Sequence, residues 1–200
     1  MTFARHFLIS LLVACAVPPA DSAPQPSTAE VARRVCPDLP EIPSTLAPPV
    51  DTAAVFALEA HGVQRYACAG SPAAGYAWAF VAPDADLYTQ GVHTRLSVHH
   101  TAGPSWRASD GSAVVAALAA RETPDPTAIP WLLLRVTSAS GDPDGTMAPI
   151  TWIQRVSTCA GLAPAAATCN ADTVGKAVEQ SYDALYVFYS EATPEARCAP

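Results

Sequence analysis

Residues 92–114 read VHTRLSVHHTAGPSWRASDGSAV, and their rhythm decides the fold. Successive side chains of a strand point to opposite faces. Val92, Thr94, Leu96, Val98 and His100 therefore share one face, while His93, Arg95, Ser97 and His99 share the other. Gly103-Pro104 turns the chain, and SWRAS returns as a second strand. Asp110-Gly111, a pair that tolerates the positive φ of a tight hairpin, then leads into a third, SAVVAAL. Strands joined this closely must run antiparallel, because a parallel crossover needs a dozen or more residues.

The same pattern extends outward along the chain. TAAVFALEA (52–60) is predicted to turn at His61-Gly62 and return as VQRYAC. YAWAFVA (76–82) places Tyr76, Trp78 and Phe80 on one face, and Pro83-Asp84 is expected to break it. IPWLLLRVTS (129–138) ends at the turn GDPDG, ITWIQRVSTC (150–159) follows, and YDALYVFYS (182–190) closes the domain. About nine to ten strands at these intervals predict an all-β fold: a single-domain antiparallel sandwich or barrel over residues 50–190. Short helices are expected at 28–35 and 171–180, and residues 191–200 form a C-terminal tail.

Composition agrees with a folded domain. Hydrophobic residues make up 50% of the 200-residue chain and charged residues 14%, which argues against disorder. Twenty prolines, about twice the usual share, interrupt helices and favour short strands. The net charge is −7 and Lys176 is the single lysine. That balance excludes the basic footprint of a nucleic-acid binder and a polybasic membrane-surface segment.

The leader MTFARHFLISLLVACAV (1–17) has a positive Arg5 and an apolar run from Phe7 to Val17 that is too short to span a membrane. It reads as an export signal, so the protein is expected to be secreted or held at the cell envelope. Leu12-Val13-Ala14-Cys15 resembles a lipobox, which makes residues 1–14 the signal and Cys15 the lipidation candidate. Ordinary cleavage near residues 16–23 is the alternative. A proline-rich tether with one short helix (15–49) follows, and no transmembrane helix is expected.

Export implies an oxidising compartment. Besides Cys15, the chain has Cys36, Cys68, Cys159, Cys169 and Cys198, all disulfide candidates. Five is an odd number, so one thiol is left over. A clamp between Cys36 and Cys198 would flank the domain, and two of Cys68, Cys159 and Cys169 would form the second bridge. No CxxC pair points to thiol-redox or zinc chemistry.

Few signatures of catalysis appear. GxSxG, GxGxxG and a P-loop are all missing. His100, on the inward face, is the sharpest residue. A hydrolase could be drawn from His100, Asp110 and Ser105 or Ser112. A metal site would need three or four ligands from among His61, His93, His99, His100 and Asp110, but His99 and His100 face opposite ways on a regular strand. The more ordinary reading gives Asp110-Gly111 to the turn and Trp106 to the core.

Six runs together resemble a family, the domain of unknown function 3455, found in secreted bacterial and fungal proteins. They are GVQRYAC (62–68), YAWAFVAPDADLY (76–88), HHTAGPSWRASDGSAV (99–114), AIPWLLLRV (128–136), ITWIQRVSTCAGLAP (150–164) and YDALYVFY (182–189). The family usually has two consecutive glycines where this chain has Ala160-Gly161, and an aromatic residue where Thr101 stands. The resemblance implies an envelope-associated domain but no activity. It places His100, Trp106, Asp110, Gln154 and Arg155 on motif positions, and these are the candidate binding residues. No catalytic residue, metal or cofactor is assigned.

The expected function is a non-enzymatic module binding a small molecule, a glycan or a protein partner. The alternatives are a secreted hydrolase using His100 with Asp110 or a nearby serine, and a periplasmic metal binder. Convergence of Trp106, His100 and Arg155 on a concavity would favour binding. Burial of Trp78, Trp106, Trp131 and Trp152 alike would favour a purely structural role.

Overall fold

The computed structural model of the protein describes residues 40–89 and 96–192. Among the described residues eight strands form a closed antiparallel barrel in simple chain order. They are β1 (Thr52–Ser71), β2 (Gly75–Thr89), β3 (Leu96–Thr101), β4 (Ser105–Ala108), β5 (Ala113–Glu122), β6 (Trp131–Ser140), β7 (Ile150–Ala160) and β8 (Ala177–Glu191). β8 pairs back onto β1, so closure removes the free edges an open sheet would carry.

The strand number is eight rather than nine to ten because two expected breaks are absent. β1 runs straight through His61-Gly62. Gly62 lies against β2, and a Cβ there would sit 2.2 Å from the Asp84 carbonyl oxygen. The glycine permits a close strand approach and makes no turn. β2 likewise continues through Pro83-Asp84. Pro83 pairs with Gln64 of β1, whereas β3 pairs with β2 only over Ala85–Tyr88. The missing N–H of Pro83 therefore costs no ladder bond on the β3 side.

The helix expected at 171–180 is also absent. Residues 171–175 are turns, and β8 begins at Ala177. Helical structure among the described residues amounts to two 3-10 turns, Ser44–Leu46 and Ala166–Thr168. The helix expected at 28–35 lies outside the described residues, as do Cys15, Cys36, His93, Arg95 and Cys198.

Strand alternation fills the barrel. Leu58, Ala60, Leu87, Val98, Val114, Ile153, Tyr186 and Phe188 belong to one buried cluster. A second, smaller cluster lies on the outer face of β7 and β8, where Val156, Val187 and Tyr189 are covered by Ile42 and Trp152 among others. The 40–49 segment packs over this outer face, with Leu46 fully buried. Among the described residues one disulfide, Cys68–Cys169, joins β1 to the loop that precedes β8. Cys159 is a free, exposed thiol.

Up-and-down topology gives the barrel two distinct ends. One carries the β1–β2, β3–β4, β5–β6 and β7–β8 connections. The other carries the β4–β5 and β6–β7 connections and the chain's entry into β1.

Candidate functional site

The alternation read from 92–114 places His100 inside and His99 outside. His100 is buried. His99 lies on the outer face, with Nδ1 2.7 Å from Asp86 and Nε2 3.3 Å from Asp84. Asp84 also meets Arg65, which reaches Glu179 in turn. Among the described residues no group of three or more His, Cys, Asp and Glu is arranged to hold a metal ion.

His100 of β3 stands directly opposite Trp106 of β4 in the ladder. Cross-strand neighbours on one face approach closely, and these two rings stack with centroids 4.3 Å apart and planes 4° from parallel. Tyr186 meets both rings edge-on, at 5.4 Å and 5.9 Å. The three rings make a floor. Above it, at the end carrying the β1–β2 and β3–β4 turns, opens a cavity of about 510 Å³. Phe80, Leu118, Ile129 and Leu132 are among its walls, and Phe80 and Leu118 are more than half exposed at the rim.

The floor histidine is neutral. Its Nδ1 donates to the Ser105 carbonyl at 2.9 Å, which leaves Nε2 as an acceptor. Burial lowers its pKa to about 4; the Ser105 bond opposes the shift and the nearby Arg155 charge adds to it.

Arg155 comes from the middle of β7 and points inward. It is 8% exposed, and its Nε and Nη2 both donate to the Pro130 carbonyl, at 3.1 Å and 2.8 Å. No carboxylate among the described residues pairs with it. The Trp106 indole Nε1 is buried without a hydrogen-bond partner among the described residues. The Gln64 amide nitrogen is also buried, near the Tyr182 hydroxyl but without a well-formed bond.

Two backbone irregularities bring side chains to this mouth. A bulge in the β5–β6 ladder between Leu118 and Ala120 resets the alternation, so that Leu118 and Arg121 both line the cavity. A second, between Arg65 and Tyr66 in the β1–β2 ladder, leaves Val81 as the extra residue of β2, and Phe80, Val81 and Pro83 all face the mouth. The corner after β7 completes the rim. Ala160 takes φ 58 and Gly161 φ 81, their carbonyls accepting from Ile129 N–H and the Tyr66 hydroxyl. Two consecutive left-handed residues are the reason glycines suit this corner.

Of the five candidate residues, His100, Trp106 and Arg155 meet at the cavity. Gln154 faces the other way. Its amide donates to the Leu46 carbonyl and accepts from the Tyr189 hydroxyl, which fastens the 40–49 segment. Asp110 lies at the opposite end of the barrel. One carboxylate oxygen accepts from Ser112 N and Oγ, and the other from Thr146 N and Oγ1. These bonds, that of the Ser112 hydroxyl foremost, hold its pKa far below the usual carboxylate range.

Those bonds also decide the geometry of the serines. Ser112 Oγ is held by Asp110, and Ser105 Oγ donates to the Ala102 carbonyl. Neither hydroxyl is hydrogen-bonded to His100.

Gln64, Tyr186 and Arg121 were not singled out in the sequence. Gln64 carried a usable signal, a polar side chain in phase with Leu58, Ala60 and Gly62, but the turn assumed at His61-Gly62 hid it. Tyr186 sits in phase with Tyr182 and Phe188 and is indistinguishable there from core. Arg121 depends on a bulge that alternation does not reveal.

A family model described as a protein of unknown function (DUF3455) matches residues 49–190, and the chain belongs to that family. No curated protein and no solved structure matches the chain.

Proposed function

We propose that this chain, whose family carries no assigned activity, is an exported, non-enzymatic binding protein that holds a small, mainly apolar molecule in the barrel mouth. The observation behind this reading is the cavity itself. It is open at one end, walled by apolar side chains and floored by the stacked pair His100 and Trp106. Small-molecule sites have this character: concave, largely apolar, with a few placed polar groups. Only Trp106 of the four tryptophans is fully buried, and it is the one beneath the cavity.

Export is supported by the Cys68–Cys169 disulfide and by the leader at 1–17. No helix among the described residues is long and apolar enough to cross a membrane. The intact mass of protein recovered from an envelope fraction distinguishes the two fates: lipid on Cys15, or a chain beginning after residue 16 or later.

The binding reading is tested with N-phenyl-1-naphthylamine, an uncharged probe whose fluorescence rises in apolar surroundings. The protein is expected to bind it in the micromolar range. Leu118→Arg, at an exposed rim position, is expected to weaken binding about tenfold by placing a charge in the entrance. No fluorescence rise with the wild-type protein would sink the reading.

A further inference from the structure

The mouth is a donor-rich, positively charged pocket in an acidic protein. The chain carries a net charge of −7, yet among the described residues two arginines, Arg155 and Arg121, line the cavity and no aspartate or glutamate does. A buried charge is ordinarily paired, because desolvation without compensation is costly. Arg155 is more than nine-tenths buried and, among the described residues, hydrogen-bonds only to a neutral carbonyl. The edge it uses is Nε with one Nη2 hydrogen. Nη1 and the second Nη2 hydrogen form the other edge, the fork that receives two oxygens of one anion. Trp106 Nε1 is a further buried donor without an acceptor. Indole N–H groups are usually bonded when buried, so an unpaired one calls for an explanation.

Resting on the binding reading above, we propose that the occupant is a small amphipathic monoanion. Its charged group, a carboxylate or its sulfonate counterpart, is received by Arg155 and Trp106 Nε1. Its apolar body lies against the ring floor and the rim at Phe80 and Leu118. A single negative charge fits, because one buried guanidinium faces the floor while Arg121 stands in solvent at the rim. Neutral His100 offers an acceptor and does not compete for the anion.

The test uses a matched pair on the full-length protein: 8-anilinonaphthalene-1-sulfonate and its uncharged parent, N-phenyl-1-naphthylamine. The sulfonate is expected to bind at least tenfold more tightly and to displace the parent. Arg155→Met should erase that preference, so that the sulfonate binds no more tightly than the neutral probe. Arg155→Lys should keep part of it. Trp106→Phe keeps a ring and removes the donor, so it should weaken the sulfonate several-fold more than the parent and narrow their ratio. These two conservative variants keep the test decisive should Arg155→Met misfold. If both probes bind equally and neither Arg155→Lys nor Trp106→Phe changes their ratio, the anion assignment is overturned while the apolar pocket stands. If neither probe binds, the binding reading itself fails.

Discussion

The two ends of the barrel treat polar groups in opposite ways. At the closed end Asp110 has both carboxylate oxygens filled by Ser112 and Thr146, and Ser112 Oγ in turn accepts the Met147 N–H. Met147 is fully buried there as part of the core. At the mouth Arg155 lacks a counter-charge, and Trp106 Nε1 an acceptor, among the described residues. Polar groups that stabilise a fold are satisfied within it. Groups left open in a concave, apolar setting are the ones available to a ligand. The candidate residues looked alike in the sequence, but they divide by end and by face.

The largest expected effect concerns how the mouth is held. The Cys68–Cys169 bridge spans 101 residues and ties the far part of β1 to the loop before β8. Replacing both cysteines with alanine should lower stability by about 3–4 kcal/mol, measured by urea unfolding. A loss below about 1 kcal/mol would mean the mouth is held by its strands alone.

Acid sharpens the comparison next. The folded-state pKa of His100 is depressed to about 4, so the unfolded chain binds its proton first as pH falls from about 6.5. Its contribution is complete above pH 6.5 and is lost on the way down to pH 4, about 3 kcal/mol in all. Near pH 5 the wild-type protein should lose about 1.4 kcal/mol per pH unit more than His100→Gln does. Tyr186, Trp106 and Arg155 face His100, and Arg155 reinforces the shift. Equal slopes for the two proteins would show that the ring takes up a proton in place.

At the closed end, Asp110→Asn should lower the melting temperature by several degrees while leaving binding of the naphthylamine probe unchanged. The pKa of Asp110 is depressed in the fold, so its contribution is present above the ordinary carboxylate range and disappears as pH falls below it. A variant that lost the probe at unchanged stability would break the division between the two ends.

The smallest effect is a gain. Ala160 holds φ 58 where glycine costs no Cβ strain. Ala160→Gly should raise stability by about 0.5–1 kcal/mol, since relief of the left-handed conformation outweighs the entropy of glycine. A loss would place Ala160 among well-accommodated left-handed residues.

Much of this was determined by the sequence itself. Period-two alternation in 92–114 and in the later runs defined an antiparallel all-β domain, because side-chain direction in a strand is set locally. It placed His100 inside and His99 outside for the same reason. Asp110-Gly111 declared its turn through backbone chemistry alone. The tertiary structure decided the remainder. Whether His61-Gly62 turns or continues depends on what lies beside it, and β2 lies close enough to require glycine. Closure, and hence the existence of a mouth, depends on β8 meeting β1 across more than a hundred residues. Arg121 reached the cavity through a bulge, and Gln154, turned outward by alternation between Ile153 and Arg155, found its partner in the Leu46 carbonyl of the 40–49 segment. Local periodicity fixes which way a side chain points, and only the closed barrel settles what it meets.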